Sequence, residues 1–355
     1  MILRWLALAA LVLATPVSAQ PIAFPDHFDP IGTPISSLKT SEGRTVHYTD
    51  TGEAGWRPML FIGGVGTSAR APELVSFLDT LRRRLKVRIV AVERNGLGDT
   101  AYDPAWTFAD YTSEVQQILG HLGIGKFALV AISGGGAYAG HIAAAMPERI
   151  TSWHMLAAIA SAPADNPVCK ADAATLEAML AKQVGAPREF WAMPPDGVAA
   201  KVNGFADRAA DEGAHAYFIA GQHGDARAVA REYHRFCDAP APVAAFPAPA
   251  YFYYGEADKL VPPSQGDFWA SKVAGKVTFR RYPGEGHDVQ YRHWDQLLLD
   301  VGGHGDATLV CTKGRAGLVP GLVEPAALPR GDTLGVCAWQ GRNTAPREPD
   351  HAAHK

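Results

Sequence analysis

The sequence carries no excess of positive charge. Its 355 residues include 33 Lys and Arg against 36 Asp and Glu, which gives a formal net charge of -3 at pH 7. Proteins that bind nucleic acids through the phosphate backbone carry a basic surface and usually a basic overall balance. We therefore expect no nucleic-acid partner.

Beyond the first twenty residues, the chain has no apolar run long enough to cross a bilayer. The N-terminus reads MILRWLALAALVLATPVSAQ, in which Arg4 precedes a short apolar segment and small residues precede Gln20. This pattern predicts a signal peptide over residues 1–19. It predicts export to the periplasm or the extracellular space, with no membrane anchor after processing. A retained anchor is the alternative.

Cysteine is scarce, with four residues, and none of them forms a C-x-x-C pair. The usual signatures of zinc ribbons and thioredoxin-like proteins are therefore missing. An exported protein meets an oxidising compartment, which favours disulfides over free buried thiols. Four cysteines allow three pairings. We favour Cys169 with Cys237 and Cys311 with Cys337, because each pair brackets one segment of the chain described below.

Short apolar runs alternate with amphipathic segments along most of the chain. Runs such as PMLFIGG, VRIVAVERNG and KFALVAISGG predict strands, and the segments between them predict helices. Short buried strands separated by helices indicate a mostly parallel sheet with both faces covered. The sequence therefore predicts the α/β fold class.

This alternation stops after residue 160 and resumes near residue 248. The segment between is rich in alanine, helical in tendency and far longer than one crossover helix needs. It predicts an inserted helical lid, with Cys169 and Cys237 near its ends. The expected organisation is a core of residues 20–160 and 248–303, a lid of residues 161–247, an appendage of residues 304–340 and a disordered tail of residues 341–355.

The appendage sequence DATLVCTKGRAGLVPGLVEPAALPRGDTLGVCAWQ predicts a strand, a short helix and a second strand. Cys311 lies in the first predicted strand and Cys337 in the second. A disulfide between them would tie the two strands together. The sequence does not indicate what the appendage does.

The strand KFALVAI runs directly into a serine and three glycines, an arrangement that two chemistries use. Gly134, Gly136 and Ala139 match the dinucleotide-binding pattern G-x-G-x-x-G/A. However, the next strand ends in alanines, where an acidic residue should meet the ribose. No G-K-[ST] follows the glycines, which excludes a P-loop. We therefore expect no nucleotide and no other cofactor.

The alternative chemistry is a nucleophile elbow, G-x-S-x-G, which here reads Ala131-Ile132-Ser133-Gly134-Gly135. In such an elbow the serine lies in a strained strand-to-helix turn, so the residues two before and two after it must be small. The turn raises the hydroxyl above the sheet. The helix behind it offers backbone N–H groups to an oxyanion.

A nucleophilic serine needs a base, and the base needs a carboxylate that fixes its tautomer. Asp258 follows the strand AYFYYG, and His287 follows the strand KVTFRRYPG. The carboxyl ends of strands are where α/β sheets build their sites, and the order Ser, acid, His is that of the elbow hydrolases. We predict a triad of Ser133, Asp258 and His287. Glu256 is the alternative acid, in which case Asp258 would only cap a turn.

With these residues, the chain resembles the α/β-hydrolase superfamily over roughly residues 43–303. The segment RIVAVERNGLGDT is similar to the family motif D-R-x-G-x-G-x-S, with Glu93 in place of the aspartate and Thr100 in place of the serine. The resemblance implies the α/β-hydrolase fold, with the lid inserted in it.

A second segment of this resemblance is FIGGVG, which is similar to the oxyanion loop H-G-G-P-G. Ile62 and Val65 stand in place of its histidine and proline. The resemblance implies that Gly64 provides one N–H group of an oxyanion hole and Gly134 provides the other.

These residues predict an exported serine hydrolase that cleaves a small-molecule ester through an acyl-enzyme. Peptide or amide cleavage, lactone opening and carbon–carbon hydrolysis use the same triad, and a non-catalytic binding module on this fold is a further alternative. Haloalkane dehalogenases of the superfamily use an aspartate nucleophile, so the serine argues against that reaction. His287, Asp288 and His293 could suggest a metal site, but the spacing of the two histidines does not suit one helical face. We expect no metal.

Overall fold

The structure is a computed structural model and describes residues 33–162, 165–186, 222, 224–238 and 240–337. The predicted signal peptide, the lid segment 187–221 and the predicted disordered tail lie outside the described residues. The predictions for those segments therefore stay predictions.

A central sheet contains eight strands: β1 (Ser36–Lys39), β2 (Thr45–Thr51), β3 (Arg57–Ile62), β4 (Val87–Val92), β5 (Phe127–Ile132), β6 (Ile150–Leu156), β7 (Ala250–Gly255) and β8 (Val277–Tyr282). Their spatial order is β1-β2-β4-β3-β5-β6-β7-β8. The strands from β3 to β8 run parallel, whereas β2 pairs antiparallel with both β1 and β4. The predicted α/β class with a mostly parallel sheet is confirmed.

The helices of the core are α1 (Asp79–Arg84), α2 (Phe108–His121) and α3 (Gly135–Ala145), and after the lid α7 (Pro263–Ala270), α8 (Val289–Arg292) and α9 (Trp294–Leu299). The lid contains α4 (Pro167–Lys170), α5 (Ala173–Gly185) and α6 (Ala226–Arg235). The segment APELVSFLDTLRRRL, which reads as one amphipathic helix, is a 3-10 helix over Ala71–Leu78 followed by α1. Ala71, Leu74, Val75 and Leu78 are buried. A 3-10 helix and an α-helix can both bury one apolar face, so the apolar pattern does not distinguish the two.

Apolar clusters cover both faces of the sheet, as alternation along the strands requires. On β3, Leu60 and Ile62 pack into the cluster that contains side chains of α2 and α3, whereas Met59 and Phe61 pack into the cluster that contains side chains of α9. Strand β5 is buried over its full length. A strand covered on both faces reads as a continuous apolar run, which is why KFALVAI was recognisable in the sequence.

The described part of the lid is helical and has its own small core. Leu176, Leu180 and Val184 of α5 pack against Val229 of α6 and against Leu97 of the core. The disulfide Cys169–Cys237 joins the short helix α4 to the end of α6. Two segments distant in sequence are thereby tied at the base of the lid.

The appendage matches the prediction in part, because a short 3-10 helix (Pro325–Ala327) lies between two strands, but an additional strand is present. It is a three-stranded sheet of β9 (Ala307–Thr312), β10 (Arg315–Pro320) and β11 (Thr333–Leu334), with β9 in the centre. A two-residue turn, Lys313-Gly314, joins β9 to β10, and both residues have positive φ (50° and 75°), as a type I′ hairpin turn requires. Cys337 lies beyond β11 rather than in a strand, and it bonds Cys311 of β9.

Among the described residues, no helix combines the length and the apolar character that a membrane crossing requires.

Candidate active site

Ser133 lies between the end of β5 and the start of α3. Its φ is 48°, in the left-handed region that non-glycine residues rarely adopt. Its carbonyl oxygen accepts hydrogen bonds from the N–H groups of Gly136 (3.0 Å) and Ile159 (2.9 Å), which hold the turn in place. This is the strained strand–turn–helix geometry that a nucleophile elbow requires.

Gly135, the second residue after Ser133, is required by the close approach of a neighbouring strand. A β-carbon on Gly135 would lie 2.5 Å from the carbonyl oxygen of Ile62 and 2.6 Å from that of Gly63. Both atoms belong to the backbone at the end of β3, which passes directly behind the elbow. Glycine at this position therefore allows the helix α3 to begin against the neighbouring strand.

The structure brings the three predicted catalytic side chains together. The Oγ of Ser133 lies 3.0 Å from the Nε2 of His287, and the Nδ1 of His287 lies 2.8 Å from the Oδ2 of Asp258. These residues are far apart in sequence and follow β5, β8 and β7. The hydrogen-bonded row is the arrangement in which an imidazole can take a proton from a hydroxyl.

Backbone groups fix the carboxylate of Asp258. Its side chain is fully buried, and Oδ1 accepts hydrogen bonds from the N–H groups of Leu260 (2.8 Å) and Val261 (2.9 Å). The remaining oxygen accepts the Nδ1–H of His287, which leaves Nε2 as an acceptor towards Ser133. Glu256, the alternative acid, is exposed at the surface.

Neighbouring side chains brace the loop that carries His287. Asp288 accepts a hydrogen bond from the N–H of Gly286 (3.1 Å) and pairs with Arg292 (2.8 Å). His293 contacts Glu285 through a 2.8 Å hydrogen bond and stacks on the ring of Tyr282. Asp288 and His293 thus have partners in the protein. No group of three or more His, Cys, Asp or Glu side chains that could hold a metal ion occurs in the part of the chain that the structure describes.

The segment that resembles the oxyanion loop, residues 62–66, lies beside the elbow. Gly64, Val65, Gly134 and Ser133 line the same cavity, and a β-carbon on Gly134 would lie 3.1 Å from the backbone nitrogen of Val65. The predicted oxyanion residues Gly64 and Gly134 are therefore on the same side of the sheet as the serine.

Two buried residues that sequence reasoning missed hold this loop. The guanidinium of Arg94 donates to the carbonyl oxygens of Gly63 (2.7 Å) and Gly64 (2.5 Å), and its Nε donates to Glu232 of α6 (2.6 Å). The N–H of Gly66 donates to the same carboxylate (2.8 Å). Arg94 lies in the segment that is similar to D-R-x-G-x-G-x-S, which is a weak sequence signal of a role at the site. Glu232 gave none, because it reaches the loop from another part of the chain.

Glu93 shows how a departure from the family motif is accommodated. Its Oε2 accepts hydrogen bonds from the N–H groups of Asp99 (2.9 Å) and Thr100 (3.0 Å) and from the hydroxyl of Thr100 (3.0 Å). The two residues that depart from the motif thus contact each other and close the turn after β4. Burial raises the pKa of the Glu93 carboxyl to about 7, because the low-dielectric interior disfavours its charged form.

A cavity of about 460 Å³ opens at Ser133 and His287. Its lining includes the apolar side chains of Val65, Ile159 and Phe236 and the polar lid side chains of Asn166 and Gln183. Ligand pockets of enzymes range from about 300 to 1,000 Å³. The site therefore has room for a small organic substrate between the core and the lid.

Comparisons with solved structures agree with this architecture. A thermophilic esterase from Thermogutta terrifontis is 17% identical, with a TM-score of 0.56, over 76% of this chain and 96% of that chain. The enol-lactonase from Burkholderia xenovorans is 16% identical, with a TM-score of 0.55, over 76% and 99%. An epoxide hydrolase from metagenomes of hot environments is 17% identical, with a TM-score of 0.56, over 77% of this chain and 99% of that chain. At these identities the likeness concerns the fold alone.

No curated protein matches the sequence significantly. The family model of the alpha/beta hydrolases, however, matches residues 59–300, which include the elbow, the loop of Asp258 and the loop of His287. Sequence, strand order and the positions of these loops agree, and the protein is a member of the α/β-hydrolase family.

Proposed function

We propose that this protein is an exported serine hydrolase that cleaves a carboxylic ester through an acyl-enzyme. The observation that carries the proposal is the hydrogen-bonded row from Ser133 through His287 to Asp258, with distances of 3.0 and 2.8 Å. Ser133 and His287 line a cavity large enough for a substrate. A binding module would have no need for a serine hydroxyl hydrogen-bonded to a histidine that a carboxylate orients.

The proposed reaction begins with a proton transfer. The Nε2 of His287 accepts the hydroxyl proton of Ser133 as Oγ attacks the ester carbonyl. Asp258 keeps Nδ1 protonated and stabilises the imidazolium that forms. The proton then passes from His287 to the leaving alcohol, which departs and leaves the acyl group on the serine oxygen.

The N–H groups of Gly64 and Gly134 are proposed to stabilise the negative oxygen of the tetrahedral intermediate. One such donor contributes on the order of 3 kcal/mol to the lowering of the barrier. In the second half-reaction, His287 takes a proton from water, and the hydroxide attacks the acyl carbonyl. Collapse of the second tetrahedral intermediate releases the carboxylic acid and returns the proton to Ser133.

The cavity supports an acyl group of moderate size. Val65, Ile159 and Phe236 present apolar surface close to Ser133, and apolar walls favour the burial of alkyl or aryl groups. Among the solved structures of similar fold, an esterase and an enol-lactonase both act on esters by their names. We therefore place ester cleavage ahead of amide or carbon–carbon bond cleavage.

Export is proposed from the signal-peptide pattern over residues 1–19. The disulfides Cys169–Cys237 and Cys311–Cys337 are compatible with it, because such bonds persist in oxidising compartments. Expression of the full chain with fractionation of the cells should give a processed form that begins at Gln20 outside the cytoplasm. An unprocessed chain in the cytoplasmic fraction would contradict this part of the proposal.

Hydrolysis of p-nitrophenyl esters of increasing acyl length tests the proposed activity. We expect turnover with an optimum at an acyl length that fits the cavity, and a loss of several orders of magnitude in Ser133→Ala. The folded state of the variant is checked by circular dichroism. Equal turnover in the variant would show that another group carries the reaction.

A further inference from the structure

A buried carboxylate from the lid contacts the oxyanion loop. Glu232 of α6 is 4% exposed. Its Oε1 accepts hydrogen bonds from the Nε of Arg94 (2.6 Å) and the hydroxyl of Tyr138 (2.8 Å), and its Oε2 accepts one from the N–H of Gly66 (2.8 Å). All three partners are donors. The side chain at this position must therefore accept hydrogen bonds at both of its terminal atoms. A carboxylate can do so, whereas one terminal atom of an amide is a donor.

Arg94 extends this contact to the predicted oxyanion residue. It is 2% exposed, and it holds the carbonyl oxygens of Gly63 (2.7 Å) and Gly64 (2.5 Å). In a trans peptide, the C=O and N–H groups of one plane point in opposite directions. A Gly63 carbonyl that points to Arg94 therefore directs the N–H of Gly64 away from Arg94. The hydrogen bond sets the orientation of the group that must meet the oxyanion.

The loop needs such external support because its own sequence provides little. Three of the five residues 62–66 are glycines, which have the largest backbone freedom to lose. Ile62 and Val65 replace the histidine and proline of the similar family motif. A rigid anchor outside the loop, in contact with its carbonyl and N–H groups, can supply the missing constraint.

We propose that Glu232 is a positioning residue for the oxyanion hole. It fixes Arg94 and Gly66, and through them it holds the N–H of Gly64 in the direction that stabilises a tetrahedral oxyanion. Such donors act by being oriented before the reaction starts. The lid thus contributes to the chemical step in addition to enclosing the substrate. This inference rests on the proposed serine hydrolase function.

A purely structural role for Glu232 makes a different prediction. Loss of a buried ion pair would lower stability and the amount of folded enzyme, but it would affect ground-state and transition-state binding alike. A positioning role weakens only the binding of tetrahedral, negatively charged species. Two measurements therefore distinguish the roles. A positioning role lowers kcat more than it changes KM, and it lowers the affinity for a tetrahedral adduct.

The test compares Glu232→Gln with the wild type, using p-nitrophenyl butyrate as substrate and n-butylboronic acid as the tetrahedral probe. We expect kcat to fall about 10- to 100-fold, with KM changed less than about threefold. The boronic acid should lose affinity by the same factor as kcat/KM. Glu114→Gln is the matched control: Glu114 is a buried carboxylate that pairs with Arg44 (3.1 Å), and its loss should leave both quantities unchanged.

Tyr138→Phe is a second variant for the case that Glu232→Gln does not fold, because it removes one donor and keeps the ion pair. A lower kcat at unchanged KM in either variant supports the proposal. Unchanged kcat and boronic acid affinity in the folded variants, with an active wild type, overturn the positioning role alone. A wild type with neither ester turnover nor fluorophosphonate labelling at Ser133 overturns the proposed function and this inference with it.

Discussion

The proposed roles of single residues depend on which atom of His287 carries the proton. The Oδ2 of Asp258 faces Nδ1, and Ser133 faces Nε2. The second oxygen of Asp258 is held by two backbone N–H groups, so the carboxylate cannot turn freely. This geometry favours the tautomer with a proton on Nδ1, and the tautomer determines whether the imidazole can act as a base.

Asp258→Asn should therefore remove most of the activity without unfolding the protein. An amide that keeps the two backbone hydrogen bonds through its oxygen presents N–H to Nδ1, which favours the wrong tautomer, and kcat should fall by about 10⁴-fold. Ester hydrolysis at saturating substrate measures the effect. Glu256→Gln, at the exposed alternative acid, should retain the wild-type rate. The opposite pattern would assign the acid to Glu256.

Gly135→Ala tests the steric account of the elbow. The added β-carbon would approach two backbone carbonyl oxygens to about 2.5 Å, so α3 or β3 must move. We expect the free energy of unfolding to fall by about 1–3 kcal/mol and kcat to fall by about 100-fold.

The control is Gly120→Ala at the exposed end of α2, where an added β-carbon meets no atom within 4 Å. It should raise the free energy of unfolding by about 0.5–1 kcal/mol, because alanine favours the helix. Chemical denaturation measures both variants. Equal effects of the two substitutions would contradict the close approach behind the elbow.

Among single residues, those that follow strands of the parallel sheet could be predicted from their order along the chain. Ser133 comes directly after β5, and Asp258 and His287 lie in the loops after β7 and β8, so their convergence follows from a parallel sheet. Arg94 and Glu232 could not be paired in advance. Their contact depends on how α6 packs on the core, and one sequence contains no signal for packing between distant segments.

At the scale of elements, α6 combines several tasks in one short helix. It carries Glu232 against the loop of residues 62–66, and Phe236 at its end lines the cavity. Cys237 follows directly and is bonded to Cys169. The lid disulfide therefore lies close to residues that shape the site, whereas the appendage disulfide lies on a separate sheet.

Removal of either disulfide should lower stability, but only removal of the lid disulfide should also lower activity. The double variants Cys169→Ser/Cys237→Ser and Cys311→Ser/Cys337→Ser each lose a chain constraint worth about 3–4 kcal/mol. Only the lid variant should also lose activity, by about tenfold in kcat/KM, because α6 shifts relative to the oxyanion loop. Denaturation curves and ester hydrolysis below the unfolding transition measure both effects. An equal loss of activity in the appendage variant would contradict the account.

Elements with a clear apolar period were predicted, and elements that depend on turn geometry were not. The strands of the parallel sheet are continuous apolar runs and were recognisable for that reason. The hairpin of β9 and β10 was missed because Lys313-Gly314 is a weak hairpin signal compared with Asn-Gly or Asp-Gly. The apolar pattern of the sequence does not mark the point at which the 3-10 helix ends and α1 begins.

At the scale of the whole molecule, buried carboxyl groups link stability to pH. Burial raises the pKa values of Glu93 and Glu114 to about 7. In the unfolded chain, a glutamate loses its proton near its ordinary pKa of 4.5. Between these values the folded state binds more protons than the unfolded state. Their contribution to stability is therefore full below about pH 4.5 and is lost as the pH rises to about 7.

Glu93→Gln should flatten this dependence. The Oε1 of Glu93 is buried without a hydrogen-bond partner among the described residues, so ionisation brings no new contact there. The difference in unfolding free energy between pH 5 and pH 8 should be smaller in Glu93→Gln than in the wild type, as measured by urea denaturation. Glu148→Gln at an exposed position should leave it unchanged. An unaltered difference in Glu93→Gln would show that Glu93 ionises normally.

The fold as a whole was predictable because its sheet is buried on both faces and its strands alternate with helices. The α/β-hydrolase family followed from the elbow and from the two loops after β7 and β8. The packing of the described lid helices on the core was not predictable. It depends on contacts of α5 and α6 that no local pattern encodes.

The central claim is that Ser133 is a nucleophile activated by His287. The most direct measurement is labelling with a fluorophosphonate, followed by peptide mass spectrometry, in the wild type, His287→Ala and Ser133→Ala. We expect stoichiometric labelling of Ser133 in the wild type, labelling slowed by orders of magnitude in His287→Ala, and none in Ser133→Ala. Labelling at another residue, or equal rates with and without His287, would contradict it.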